Sequence, residues 1–368
     1  MKAVIISNFD TYSERIDLLK EYYDSKGYET TVIMSNFRHF KKEFINQKKE
    51  GYLYIKTKPY YKNLSFQRLY SHYKFAKDAF KAVEKINPDL LHVLIPSNSL
   101  ARYADKYKEK NNNVTLYFDL IDLWPETMPV GSIKNYFPFT IWKNIRDNHL
   151  DAANCVLCEC DLYRKVLKKE NDDKYKVLYW AKKDTEIINQ SQDLNLPYNE
   201  INLCYLGSIN NIIDIDYIIK VCKELNIIKK TNIHIIGNGE SKEELLNKLV
   251  SNNISYIDHG TVYDKQQKQI IFNQCHFGLN IMKSNVCVGL TMKSLDYFQG
   301  GLPIINTIKG DTYNFVDLNK IGYNDLEELL NDINNIDYND MRNKVYEFYL
   351  NYFSKQKFFD TLNTVVRE

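Results

Sequence analysis

The 368-residue sequence contains no run of apolar residues long enough to cross a membrane. Its start, MKAVIISNFD, enters a short apolar strand with no basic leader before it, so no signal peptide is expected. Neither a G-x-S-x-G nor a Walker pattern occurs. There is no internal repeat and no low-complexity block beyond a bias toward Asn and Lys. The seven cysteines are an odd number in a long chain, which argues for a reducing cytoplasm rather than a disulfide framework. Cys155, Cys158 and Cys160 cluster in NCVLCECD, but no second pair at matching spacing completes a zinc site. A buried strand is the expected reading there, and no metal site is expected.

What is present is an ordinary globular composition, 44% hydrophobic and 26% charged, over a length that suits two or three domains. The net charge is only +2, yet residues 36–85 hold thirteen Lys or Arg against four Asp or Glu. Twelve aromatics are interleaved with those cations, among them Phe37, Phe40, Tyr60, Tyr61, Phe66 and Tyr70. Such a segment suits an anionic membrane surface or a phosphorylated lipid. It also suits single-stranded nucleic acid, or a solvated basic face whose aromatics enter the core.

Strand and helix signals alternate almost throughout, which predicts an α/β fold with parallel sheets. The first half offers strands at AVIIS, TTVIM, LLHVLI, VTLYFDL, NCVLC and KVLYW, with helices such as Tyr12 to Ser25 and Ser65 to Ile86 between them. The second half begins again with NLCYLGS, then NIHIIG, ISYID, FGLNIM and LPIIN. The polar stretch Asp184 to Asn199 reads as a linker. The expected domains are therefore 1–185 and 198–340. The tail reads as two helices broken near Phe353 and Ser354.

The most informative stretch is VGLTMKSLDYFQGGLPIINTIKGDT, Val288 to Thr312. It predicts a glycine-bearing loop, a short helix from Thr291 to Gln299, a Gly300-Gly301 stop and a buried strand. Thr291 is the expected N-cap, and Gly300 or Gly301 can end the helix in the left-handed conformation. The free amides at the helix start, beside Gly289, make a seat for phosphate. Lys293 adds a cation in the first turn, and Asp296 shares its face one turn on. A cation for a diphosphate and a carboxylate for ribose hydroxyls, so spaced, suit a nucleotide diphosphate.

The segment GLTMKSLDYFQGGLPII resembles the donor-site helix of family-4-type glycosyltransferases of the GT-B fold. The resemblance implies that Asp296 binds the donor ribose and that Leu290, Thr291 and Lys293 hold the diphosphate. LCYLGSINN, Leu203 to Asn211, is similar to the start of that family's donor domain, and implies that Gly207 and Ser208 approach the sugar or phosphate. Relatives carry an Arg just after the glycine and a Lys about five residues later. Here Ser208 and the region of Ile212 and Ile213 stand in those places. IIGNGESKEEL matches the family's I-G-x-G turn, and DHGTVYDKQQ matches a loop whose backbone touches the nucleobase, which implicates Gly260 and Thr261 with Val262. His259 is expected to be structural.

In the first half, YFDLIDLWPETMP delivers Asp119 to a strand end and follows it with Asp122 and Glu126. Three carboxylates at a cleft can orient acceptor hydroxyls or take a proton. A loop held by Trp124 and capped by its own acids is the plainer alternative. KPYYKNLSFQRLYSHYKFAKDAF, Lys58 to Phe80, looks like a segment of bacterial capsule and surface-polysaccharide transferases. Asp214-Ile215-Asp216 spells the D-x-D of the other main transferase fold, but here it is expected to open a helix.

The resemblance thus implies two Rossmann-like domains facing across a cleft, with a C-terminal helical segment, 340–368, crossing back to the first. It implies a metal-independent, retaining enzyme that uses a nucleotide-diphosphate-sugar donor and no further cofactor. The expected acceptor is a saccharide or a polyprenyl-diphosphate-linked saccharide, in surface or capsular polysaccharide synthesis. Residues 36–85 are expected to meet an anionic membrane surface at the inner face of the cell membrane, with no nucleic acid as partner. An epimerase on the same fold and a non-catalytic partner subunit are the alternatives.

Overall fold

The computed structural model describes residues 1–366 apart from 47, 63, 129 and 184–193, and of residue 132 it describes only the backbone. Most of the expected linker Asp184 to Asn199 therefore lies outside the described residues. The chain divides into two compact units, Met1–Asp184 with Lys355–Glu368, and Thr185–Ser354.

The first unit is built on seven strands: β1 (Lys2–Ser7), β2 (Glu29–Ser35), β3 (Tyr52–Ile55), β4 (Leu90–Ile95), β5 (Thr115–Leu120), β6 (Cys155–Cys158) and β7 (Tyr175–Val177). Their order is β3-β2-β1-β4-β5-β6-β7, and every pairing is parallel. β1 and β4 are almost wholly apolar and buried on both faces, as strands covered by helices on both sides must be. In the helix Phe66–Ile86, Phe75, Ala79 and Val83 recur at four-residue spacing and enter the core, with Ala76 and Phe80 beside them. Ser65 caps that helix by accepting from the N–H of Arg68.

The second unit has six parallel strands: β8 (Glu200–Leu206), β9 (Lys230–Ile236), β10 (Ser255–Asp258), β11 (Phe277–Asn280), β12 (Ile304–Asn306) and β13 (Gly322–Tyr323). Their order is β10-β9-β8-β11-β12-β13. In both sheets the strand order reverses direction, between β1 and β4 and between β8 and β11. Open α/β sheets bind ligands outside the carboxyl ends of the strands at such a switch point.

β3 and β13 were not expected from the sequence. β3 is an edge strand of half-exposed residues and β13 is two residues long, so neither carries an apolar run. The C-terminal segment also departs from expectation. Only Lys355–Val365 joins the first unit, where Tyr22 donates to Asn363 at 3.0 Å and packs edge-on against Phe359. The preceding helix, Tyr338–Phe353, belongs to the second unit. There Arg342 donates to the carbonyls of Phe272 and Cys275, and Phe348 and Phe353 pack on Phe298. Aromatic burial on the helix Met292–Gln299 holds this segment in its own unit, so 340–368 does not move as one piece onto the first.

Candidate functional site

At the switch point of the second sheet the helix Met292–Gln299 starts as its sequence suggests. Thr291 Oγ1 accepts from the N–H of Ser294 at 3.2 Å, and Ser294 Oγ accepts from the N–H of Thr291 at 3.3 Å, a closed capping box. Thr291 Oγ1 also donates to Asn280 Oδ1 at 2.9 Å, and Asn280 donates on to Asn306. This ladder ties the helix start to β11 and β12. By helix geometry the amides of Met292 and Lys293 have no acceptor within the helix. Leu290 is buried, so its contribution is to seat the loop. Gly301, not Gly300, takes the positive φ, at 63°.

A cavity of about 450 Å³ opens here. Gly207 and Ser208 after β8, Gly237 and Asn238 after β9, and Thr261, Val262 and Tyr263 after β10 form its backbone wall; Lys268, Lys293 and Asp296 bring charge to it. The turns are pressed together. Gly207 has φ +111°, and a Cβ on Gly237 would lie 1.9 Å from the Gly207 carbonyl oxygen. The Gly237 N–H donates to the carbonyl of Gly260 at 2.7 Å, so Gly260 braces the cavity rather than lining it. His259 stacks on His234 with their ring nitrogens 3.1 Å apart, a structural pair.

Lys293 is the unusual member. Its Nζ is buried with no hydrogen-bond partner, and it stands 4.7 Å from the centroid of the Tyr205 ring. Burial pulls its pKa down to about 7. An ammonium so held is favoured by the ring face but unneutralised, and an anion entering the cavity would supply what it lacks. Asp296 is half-buried and bridged to Lys268 at 3.2 Å. Lys268 was not foreseen, because on an amphipathic helix such as Lys265–Phe272 a lysine reads as a solvated surface cation. Tyr263, 88% exposed at the cavity, was likewise passed over.

The expected acceptor-side acids fare differently. Asp119 is fully buried. Arg15 grips both its oxygens, Nε at 2.7 Å and Nη2 at 2.8 Å, and His92 Nε2 lies 3.3 Å away. Burial pushes the carboxyl up, but Arg15 and His92 more than offset this and hold it below the ordinary aspartate range. Arg15 in turn donates to the carbonyls of Leu178 and Tyr179. This is a closed structural ion pair with no free face for a ligand, so Asp119 is withdrawn as a catalytic candidate. Glu126 is paired to the buried Arg146 through both oxygens, at 3.0 and 2.9 Å, and to Lys143 at 3.2 Å. It pins the loop after β5 to the helix Phe139–Asp147 and is withdrawn for the same reason.

Asp122 differs. It is half-buried, accepts from the Tyr12 hydroxyl at 2.6 Å, and burial raises its pKa to about 6. Glu159, at the end of the adjacent β6, is also half-buried, and burial followed by repulsion from Asp122 raises its carboxyl well above the usual range. Two acids whose carboxyls are pushed upward by burial therefore end neighbouring strands at the carboxyl edge of the first sheet. Glu159 was missed because the cysteines around it drew attention to metal binding. Those cysteines are free and buried on or beside β6, and among the described residues no group of three or more His, Cys, Asp or Glu is placed to hold a metal ion.

The basic aromatic segment divides. Phe37, Tyr60, Phe75, Phe80 and Arg68 are buried, whereas Phe40, Tyr61, Phe66 and Tyr70 are exposed. Among the described residues no helix is long and apolar enough to cross a membrane.

No family model and no curated protein matches the sequence. Solved structures do match the fold. The lipopolysaccharide outer core galactosyltransferase WaaB superposes with a TM-score of 0.67 at 13% identity, covering 99% of each chain. Sucrose-phosphate synthase from Thermosynechococcus elongatus gives 0.69 at 12% identity, over 99% of this chain and 98% of its own. HepE from Anabaena, in complex with UDP and glucose, gives 0.65 at 11% identity over 99% and 98%. The chain has the GT-B fold, two Rossmann-like α/β units. At these identities the likeness establishes the fold alone.

Proposed function

We propose that the protein is a glycosyltransferase that moves a sugar from a nucleotide-diphosphate donor to a saccharide or lipid-linked saccharide acceptor. The observation that carries this reading is the buried, unpartnered ammonium of Lys293 in the cavity at the β8/β11 switch point. A site with an uncompensated cation, a helix N-terminus and a carboxylate one turn away suits a nucleoside diphosphate. The solved structure of HepE with UDP and glucose, on the same fold, supports the choice of donor class.

In this reading Lys293 and the first-turn amides stabilise the leaving diphosphate as its charge grows. Asp296 takes the ribose hydroxyls, and Gly207 and Ser208 allow the close approach of the sugar and phosphate. Asp122, its carboxyl raised toward neutrality by burial and accepting from Tyr12, orients the acceptor hydroxyl or takes its proton. No strong nucleophile and no metal is required, and transfer retains the anomeric configuration. Residues 36–85 meet an anionic membrane surface on the cytoplasmic side, where surface or capsular polysaccharide is assembled.

Titration with UDP-, GDP- and dTDP-sugars tests the reading. One of them should bind with micromolar affinity and be turned over when a saccharide acceptor is added. Absence of binding by all three would overturn it. Ser208 and Ile212, where relatives place cations, favour a second reading as a non-catalytic subunit. Binding of a nucleotide sugar with neither transfer nor acceptor-free hydrolysis would establish that reading instead.

A further inference from the structure

A second concavity lies in the first unit, apart from the acids at the strand ends. It encloses about 210 Å³ between the start of the helix Phe66–Ile86 and that of the helix Phe139–Asp147. Leu64, Phe66 and Leu69 form one wall; Pro138, Phe139 and Trp142 form the other. Pockets that enclose a drug-sized ligand span roughly 300–1,000 Å³, so this one is too small for a nucleotide or a disaccharide. Its mostly apolar lining suits a hydrocarbon chain.

Three observations narrow the occupant. First, the rims are apolar and exposed: Phe66 is 85% and the neighbouring Phe137 77% accessible. Exposed apolar side chains concentrated in this way mark a surface that something covers. Second, the charged residue lining the groove is Arg68, and no lining residue among the described ones is acidic. Arg68 is buried and stacks 4.4 Å above the Trp124 ring, with Nε 3.4 Å from His72 Nε2. Arg68 also hydrogen-bonds Tyr60, and a guanidinium among otherwise uncharged lining residues is complementary in charge to a phosphate. Third, packed aromatic side chains connect the groove wall to the candidate acceptor acid. Trp142 lies 5.8 Å from Trp124, Trp124 lies 5.5 Å from Phe9, and Phe9 lies 5.7 Å from Tyr12, which donates to Asp122.

We infer that this groove seats the hydrocarbon chain of a single-chain lipid phosphate, with the phosphate drawn to Arg68. The inference rests on the glycosyl-transfer reading for its meaning, since such a lipid is then the carrier of the acceptor. A concave apolar groove with a buried cation distinguishes this occupant from a bilayer surface, which needs a convex or flat face. The segment 138–142 that forms its second wall lies outside the basic stretch 36–85, so sequence composition did not point to it.

Decyl phosphate, kept below its micelle concentration, is the probe. The three tryptophans, Trp124, Trp142 and Trp180, all lie in the first unit, and Trp142 lines the groove, so intrinsic fluorescence of the full chain reports occupancy. Decyl phosphate should change the emission saturably. Phe66→Asp and Phe137→Asp, at exposed positions that leave the core intact, should each weaken its binding by about tenfold or more, the worth of covering one apolar side chain. Ile227→Asp in the second unit should not. Decanol and inorganic phosphate should each bind at least roughly tenfold more weakly than decyl phosphate, since each lacks one half of the recognition. No saturable response to decyl phosphate, or a response equal in Phe66→Asp, overturns the inference. So does capture of the protein by anionic vesicles, or its self-association, that Phe66→Asp abolishes while monomeric decyl phosphate leaves the wild-type emission unchanged. UDP titration of the same sample separates the two proposals: decyl phosphate binding without any nucleotide binding upholds the lipid groove and defeats the transferase reading, and the reverse defeats only the groove.

Discussion

The ammonium of Lys293 rests 4.7 Å from the centroid of the Tyr205 ring, buried and without a hydrogen-bond acceptor. A cation in that position destabilises the empty site and becomes favourable only when an anion arrives. Lys293→Met keeps the apolar stem and removes the charge. It should weaken UDP binding by roughly a hundredfold while leaving uridine binding nearly unchanged, because a buried charge-assisted hydrogen bond is worth about 3 kcal/mol. Equal losses for nucleoside and nucleotide, measured by calorimetry, would refute the phosphate role.

The same residue makes donor binding depend on pH. Burial pulls Lys293 down to about 7 from the ordinary 10.5, and a bound diphosphate pulls it back up. Between those limits the complex holds a proton that the free protein has lost, so binding takes up a proton and affinity falls as pH rises through 7 and above. Titrations of UDP in buffers of different ionisation enthalpy should reveal that uptake near pH 8. A heat independent of buffer, or affinity that rises with pH, contradicts the sign.

Asp296 is bridged to Lys268 at 3.2 Å in the ligand-free chain. Ribose hydroxyls must then compete with that lysine. Asp296→Asn should weaken uridine and UDP alike, by about tenfold to a hundredfold, the worth of one or two hydrogen bonds to a charged group. Lys268→Met should release the carboxylate and spare uridine. Unchanged nucleoside affinity in Asp296→Asn would remove Asp296 from the ribose site.

Asp119 yields a prediction opposite to the one its sequence position invites. Its carboxylate is held by Arg15 through two hydrogen bonds with both side chains buried. Asp119→Asn leaves an uncompensated guanidinium in the core, and breaking a buried pair this way costs about 3–5 kcal/mol. The denaturation midpoint should drop sharply, and whatever fraction stays folded should keep its nucleotide affinity. A variant as stable as the wild type but inactive would restore Asp119 to catalysis.

Asp122→Asn keeps the shape and the Tyr12 hydrogen bond. It should leave UDP affinity intact and cut transfer by roughly a hundredfold, as removing an orienting or proton-accepting group does. Stability supplies an independent readout. Burial raises Asp122 from 3.8 to about 6, so between those values the native state holds a proton the unfolded chain has released. Wild-type stability should therefore fall as pH rises through that window, and the asparagine variant should lose the Asp122 share of that slope while Glu159 keeps its own. An identical pH profile in both proteins would show that Asp122 is not the group responsible.

The sequence by itself determined the α/β alternation, the capped helix at Thr291 and the glycine turns. It could do so because apolar strand runs, N-caps and glycines that need positive φ are local demands, met by the residues that impose them. Thr291 caps whatever lies beyond it, and Gly237 must lack a Cβ wherever Gly207 runs past. Tertiary structure decided which charges remain available. Asp119, Asp122 and Glu126 look alike along the chain, but Arg15 approaches the first and Arg146 the third from distant positions. Only Asp122 is left facing a hydroxyl. Glu159 gained its role from the neighbouring strand, and Lys293 from a tyrosine on β8 that lies beneath it. Electrostatics depends on burial and on partners remote in sequence, and no local pattern records either.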